Sequence, residues 1–156
     1  MNISAETDYA IRAMLYLSTV HRIDPEKLAT TEEISKNQAV PHKFLEAILR
    51  SLKKADLIEG HRGNKGGYRL KISPNKISLA DIIRVVDGPL AAVKGERPES
   101  VTFKESAKHL TDVWIALRVS LRKTLEGVTL EQIESGQLPT HIKKAISQPG
   151  AWTRRK

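Results

Sequence analysis

Two periods run through the hydrophobic and polar positions of this chain. Over residues 7–20, Tyr9, Ile11, Met14, Leu15 and Leu17, with Ala10 and Ala13, recur at the spacing of one broad helix face. Thr7 or Ser4 is placed to cap this helix, and residues 21–25 end it. Thr30-Thr31-Glu32-Glu33 has the form of a capping box, in which a threonine oxygen accepts an amide proton while Glu33 reaches back. It predicts a short helix over residues 31–36 that buries Ile34. Residues 37–41 make a tight connector. Pro41 suits the first turn of a helix and pushes the residue before it out of helical geometry. The helix it opens is expected over residues 41–55, with Leu45, Ile48, Leu49 and Leu52 facing inward. Its other face carries His42, Lys43, Glu46, Arg50, Lys53 and Lys54. A short helix, a short turn and a second helix with a basic outer face compose a helix-turn-helix. On a lone helix, that face would be ordinary solvated surface.

The period then drops to two. Tyr68, Leu70 and Ile72 alternate with Arg69 and Lys71, the pattern of a half-buried strand, and a shorter strand-like run starts at Leu57. Between them, Gly63, Asn64, Gly66 and Gly67 tolerate the positive backbone angles of a tight hairpin. Arg62 and Lys65 fall at the tip, where nothing in the sequence buries them. A glycine-rich loop that cradles phosphate needs a helix after it. Here a strand follows, and no lysine–serine or lysine–threonine pair closes the loop. The stretch is expected to be a basic β-hairpin, the wing of a winged helix-turn-helix. Its place directly after the basic helix turns two bland surface features into one candidate nucleic-acid surface.

Beyond the hairpin, Ser78 is placed to cap a helix running to Val86, with Leu79, Ile82, Ile83 and Val86 buried; Asp87, Gly88 and Pro89 stop it. Residues 90–102 are a weakly patterned loop. A long helix is expected over residues 103–125, with Leu110, Val113, Trp114, Leu117, Leu121 and Leu125 in one stripe and Gly127 after its end. Residues 128–133 begin another short helix capped by Thr129, residues 139–147 form a last amphipathic turn or two, and residues 148–156 are a loose basic tail. The expected fold class is mainly α with a small β-hairpin. Residues 1–88 form a winged helix-turn-helix domain, 89–102 a linker loop, 103–135 a dimerisation helix and the following short helix, and 136–156 a basic C-terminal tail.

Composition narrows the function. The 156 residues suit one domain with an added arm; hydrophobic residues at 40% permit a core, and aromatics at 4% make it aliphatic. A net charge of +8 favours a polyanion partner, a sign shared with ribosomal and membrane-surface proteins. The absence of cysteine excludes disulfides and thiolate-ligated metals and fits a cytoplasmic protein. The first residues show no signal peptide, and no apolar run approaches the ~18 residues of a membrane span. With no nucleophile elbow, zincin pair or nucleotide loop, an enzyme is disfavoured.

At this point the residues resemble a known family. They are Tyr9-Ala-Ile-Arg-Ala-Met-Leu-Tyr-Leu17, Glu33-Ile-Ser35, Phe44-Leu-Glu46 with Leu49 and Leu52, Arg62-Gly-Asn-Lys-Gly-Gly-Tyr68, Ile77-Ser-Leu-Ala-Asp-Ile-Ile83, Asp87-Gly88, Trp114 and Val128-Thr-Leu130. Together, over roughly residues 1–135, they resemble the Rrf-two family of bacterial winged-helix transcription factors, which includes the iron–sulfur-cluster regulator and the nitric-oxide-sensitive repressor. The resemblance implies a homodimer, held by the long helix carrying Trp114, on a palindromic operator, with repression by promoter occlusion. It also marks a departure. Well-known members ligate a cluster with three cysteines before the dimerisation helix, and residues 88–112 have none. His109 there reads as an exposed helix residue. Asp8, where some relatives supply an oxygen ligand, reads as a helix-start residue. The chain thus resembles the cluster-free branch; no cofactor is expected, and the signal would be an unknown small molecule, a partner protein or none.

The helix opened by Pro41 is expected in the major groove of double-stranded DNA, with His42, Lys43 and Glu46 at base edges. Glu46 can accept from cytosine N4 and Lys43 can donate to guanine. Arg50, Lys53 and Lys54 suit phosphates. Arg62 at the wing, beside Asn64 and Lys65, can enter a narrow minor groove. Leu110, Val113, Trp114, Leu117 and Leu121 are the expected dimer contacts. The alternative is a winged-helix module used for protein or RNA contact.

Overall fold

The computed structural model describes residues 2–154; Arg155 and Lys156, the end of the expected basic tail, lie outside the described residues. Helix α1 (Ala5–Ile23) starts where Ser4 Oγ accepts from the Thr7 amide at 3.0 Å, so Ser4 is the cap. Thr7 is buried instead. Its hydroxyl donates to Asp87 at 2.6 Å, and Ser4 Oγ donates to the same carboxylate. The start of α1 is thereby tied to residue 87, at the far end of the helix after the wing.

Helix α2 (Thr31–Gln38) carries the full capping box between Thr30 and Glu33 and ends at Ala39, which takes a left-handed φ of 50°. Arg12 of α1 donates to the Gln38 carbonyl and Ser35 Oγ to the Val40 carbonyl, fixing the turn. Helix α3 (His42–Lys54) follows. Leu45, Ile48, Leu49 and Leu52 are buried against Ala10, Ala13, Met14, Leu17 and Ile34, as their spacing predicts. Each such side chain contributes about 1.5–3 kcal/mol on burial, so one seam of α3 fixes which face looks outward.

Strands β1 (Ile58–His61) and β2 (Gly67–Leu70) pair antiparallel, with Ile58 opposite Leu70 and His61 opposite Gly67. Ala29 exchanges two 2.8 Å backbone hydrogen bonds with Tyr68, so the hairpin stem is stitched to the segment before α2. Positive φ occurs at Gly63 and Gly67, whereas Asn64 and Gly66 do not adopt it. Gly66 is needed for a different reason: a Cβ there would lie 2.3 Å from the His61 carbonyl oxygen.

Helix α4 (Leu79–Val86) has a capping box between Ser78 and Asp81. Ala80 and Ile82 are buried, but Leu79, Ile83 and Val86 are only half-buried. The expected full burial fails because the core of the winged domain takes one side of α4 and α5 (Leu110–Leu125) covers the other sparsely. The long helix also begins later than its pattern suggests. Residues 103–109 contain an irregular stretch and one 3-10 turn at Glu105–Ala107, with Glu105 at a φ of 52°, and Thr111 donates back to the Val101 carbonyl. The apolar spacing is genuine only from Leu110 onward.

After α5 the chain returns to the winged domain. Helix α6 (Leu130–Ser135), capped by Thr129 with Gln132, packs under α1; Leu130 is buried, and Arg22 meets Glu134 at 2.9 Å. Helix α7 (Thr140–Ile146) lies near the end of α5, where a Cβ at Gly127 would stand 2.7 Å from His141 Cε1. The following residues are turned rather than loose: Trp152 Nε1 donates to the Ile146 carbonyl at 2.8 Å. Among the described residues no helix is long and apolar enough to cross a membrane.

Candidate nucleic-acid interface

The inward seam of α3 leaves His42, Lys43, Glu46, Arg50 and Lys53 exposed on its outer face. The hairpin projects beside it. Between the two runs a surface cleft of about 360 Å³, lined by Glu46, Arg50, Lys53 and Arg62 together with Thr31, His61 and Tyr68. Four of the expected site residues are thus gathered on one concave surface. His42 and Lys43 lie at the first turn of α3, and Asn64 and Lys65 sit exposed at the hairpin tip.

Among the described residues, none of Lys43, Arg50, Lys53, Lys54, Arg62 and Lys65 has a carboxylate within salt-bridge distance, and Glu46 has no cationic partner either. The first turn of α3 likewise has no side-chain cap, because Pro41 occupies the cap position.

The hairpin stem behaves oppositely. Arg69 bonds Glu59 at 2.5 Å and Glu26 at 2.6 Å, and Lys71 meets Asp56 at 2.7 Å. The Arg69 hydrogen bond holds the Glu59 carboxyl below its ordinary pKa, and Glu59 in turn raises that of Arg69. These charges brace the wing, leaving Arg62 and Lys65 as its outward cations.

Sequence reasoning passed over Phe44, Thr31 and His61. Phe44 remains 43% exposed at the start of α3, with its ring 5.8 Å from Tyr9 and the Lys43 ammonium 4.9 Å from its centroid. Its signal was present: an aromatic residue stands outside the register of Leu45, Ile48, Leu49 and Leu52. Thr31 and His61 carried no such signal, since only the approach of the hairpin to α2 and α3 brings them to the cleft.

The expected dimer stripe divides. No residue of α5 is fully buried. Val113 is 56% exposed, as is Val119, whereas Leu110, Leu117 and Leu121 are half-buried. Trp114 turns toward its own subunit. With Leu117, Pro98 and residues 90–93 it lines an apolar cavity of about 410 Å³, and its indole N–H is buried without a partner. His109 is exposed at the cap position of α5, near Asp112, and Asp8 pairs with Arg12 at 2.8 Å.

The family model for Rrf2, described as an iron-dependent transcriptional regulator, matches residues 3–135. That description implies an iron site, and the donor set here does not fit one. A thiolate cluster needs cysteines, and the chain has none. Among the described residues no three histidine or carboxylate side chains converge on a common point. An HTH-type transcriptional regulator of Mycobacterium tuberculosis is 39% identical over 142 residues, covering 91% of this chain and 86% of its own. The HTH-type regulator CymR of Bacillus subtilis is 32% identical over 135 residues, covering 86% of this chain and 91% of its own. The solved structure of CymR, the global cysteine regulator of B. subtilis, superposes with a TM-score of 0.72 at 30% identity, over 87% of this chain and 98% of that one. The IscR structure from T. potens gives 0.67 at 26% identity, over 96% and 94%. With the match running from α1 through α6 and a winged helix-turn-helix within it, the chain belongs to the Rrf2 family of transcriptional regulators.

Proposed function

We propose that this regulator binds a two-fold symmetric operator in duplex DNA as a homodimer and represses by occupying the promoter. One observation carries the reading. The outer face of α3 and the hairpin tip share a concave surface whose cations lack internal carboxylate partners among the described residues. Cations that release counterions from phosphate supply affinity, and base edges supply choice. In this arrangement the first turn of α3 enters the major groove. His42, Lys43 and Glu46 meet base edges, Arg50 and Lys53 meet phosphates along the cleft, and Arg62, with Asn64 and Lys65, reaches the adjacent minor groove. The half-exposed α5 supplies the second part: a sixteen-residue helix with no fully buried residue suits a symmetric helix contact. Two recognition helices would then stand about 34 Å apart, or a multiple of it. No cluster takes part, and a small molecule or partner protein sets the signal.

Selection of bound duplexes followed by footprinting at several salt concentrations tests this. A palindromic motif, protected on one face and weakening steeply with salt, is the expected result. Retention of single-stranded or hairpin RNA with no duplex footprint would replace the reading with an RNA-contact module.

A further inference from the structure

A second cationic surface lies away from the DNA face. Where α4, the loop after it and α5 meet, there is a cavity of about 480 Å³. Arg84 of α4, Arg97 of the loop, and Arg118 and Arg122 of α5 line it, and Glu99 is the single carboxylate among its lining residues. Arg118 meets Glu99, and Arg84 meets Glu126. Among the described residues, Arg97 and Arg122 have no carboxylate within salt-bridge distance. Arg118 is the least exposed of these ion-paired arginines, at 16%, and its Nε–H is buried without an acceptor. Four guanidinium groups drawn from three separate elements line one space; Glu99 pairs with Arg118, and Glu126 and Asp81 pair with Arg84, which leaves Arg97 and Arg122 as its uncompensated cations among the described residues.

We propose that this cavity binds a small organic or inorganic anion carrying at least two oxyanion groups, of the polycarboxylate or pyrophosphate type. Guanidinium forks match carboxylate and phosphoryl oxygens two at a time, and several around one cavity select for multiple charge over a lone chloride or acetate. Bridging Arg84 to Arg118 and Arg122 would lock α5 against the winged domain. The link to regulation rests on the DNA-binding reading; the binding itself does not.

Calorimetry on the DNA-free full chain, with citrate and with inorganic pyrophosphate as separate probes at matched ionic strength, tests it. One site per protomer is expected for at least one probe, and which one identifies carboxylate or phosphoryl chemistry. Arg97→Ala and Arg122→Ala, both at exposed side chains, should each weaken binding about tenfold or more while leaving operator affinity without the anion unchanged. Arg118→Lys keeps the charge and loses the fork, so it should also weaken binding. Lys43→Ala on the DNA face should leave the anion isotherm intact, which separates this site from the duplex surface. The proposal falls if neither probe saturates, if the same heats appear with equal ionic strength of chloride, or if binding survives Arg97→Ala combined with Arg122→Ala. It falls equally if that double variant dissociates the protein into monomers while both probes give flat traces in the wild type. The arginines would then serve a subunit contact.

Discussion

Two single side chains test the DNA reading most directly. Among the described residues Glu46, on α3 between Lys43 and Arg50, has no cationic partner within salt-bridge distance. Glu46→Ala should lose discrimination at one base position by about 1–3 kcal/mol. Selection with the variant should therefore return a motif relaxed at that position, and an unchanged motif would make Glu46 a bystander. Arg62 lies exposed at the wing, at the edge of the cleft, with no carboxylate partner among the described residues. Arg62→Ala should weaken operator binding and reduce its salt slope by about one while thermal unfolding stays unchanged. An identical affinity across the salt series would remove the wing from the interface. At the stem, the Arg69 hydrogen bond lowers the folded-state pKa of Glu59. A lowered carboxylate contributes its stability above its unfolded pKa and loses it as pH falls through the folded value. The Tyr68 amide should report this as an NMR titration with a midpoint below the ordinary glutamate range, and Glu59→Gln should flatten the curve. A midpoint at the ordinary value would mean that the Arg69 pair does not persist in solution.

Among the elements, α5 makes the sharpest demand. Its sequence is as apolar as a core helix, yet no residue on it is fully buried, and Val113 and Val119 point outward. Wild-type protein should sediment as a dimer at micromolar concentration. Val113→Glu places a charge where the single chain has space, so the protomer should keep its helical signal while the dimer dissociates. A monomeric wild type would contradict the assignment. Trp114 suits this test poorly, because it is half-buried and lines a cavity with residues 90–93 and Pro98 of its own loop. Its loss would confuse local packing with assembly. The hairpin illustrates the same distinction. A strand period is visible at Tyr68, Leu70 and Ile72, but the stitch of Tyr68 to Ala29 joins residues distant in sequence.

For the whole molecule, the family description and the donor set pull apart. The chain is a member of a family described as iron-dependent, and it lacks the thiolates a cluster needs. Aerobically purified protein should be colourless, and its operator affinity should be indifferent to oxygen, nitric oxide and iron chelators. Visible charge-transfer absorption that bleaches together with DNA binding would overturn this and direct attention to Asp8 and His109.

The helix-turn-helix, the wing, the Thr30–Glu33 capping box and the Ser78 cap were legible because each depends on residues close in sequence. Thr30 and Glu33 close their box across a single helical turn; the return bond between Asp81 and Ser78 was not read from the sequence. The seam from Leu45 to Leu52 also determined which face of α3 is exposed, since burial of that stripe leaves only one outward face. What depended on distant partners was not legible. The apolar spacing of α5 alone did not reveal that Trp114 turns to its own loop while Val113 faces outward. That division follows from where residues 90–98 pack. The tie of Ser4 and Thr7 to Asp87 spans most of the winged domain. The arginine cavity draws on residues 84, 97, 118 and 122, of which only Arg118 and Arg122 share a helical spacing. Local hydrogen bonding and periodic burial belong to the sequence; convergence of charge from separate elements is decided only when the chain closes on itself.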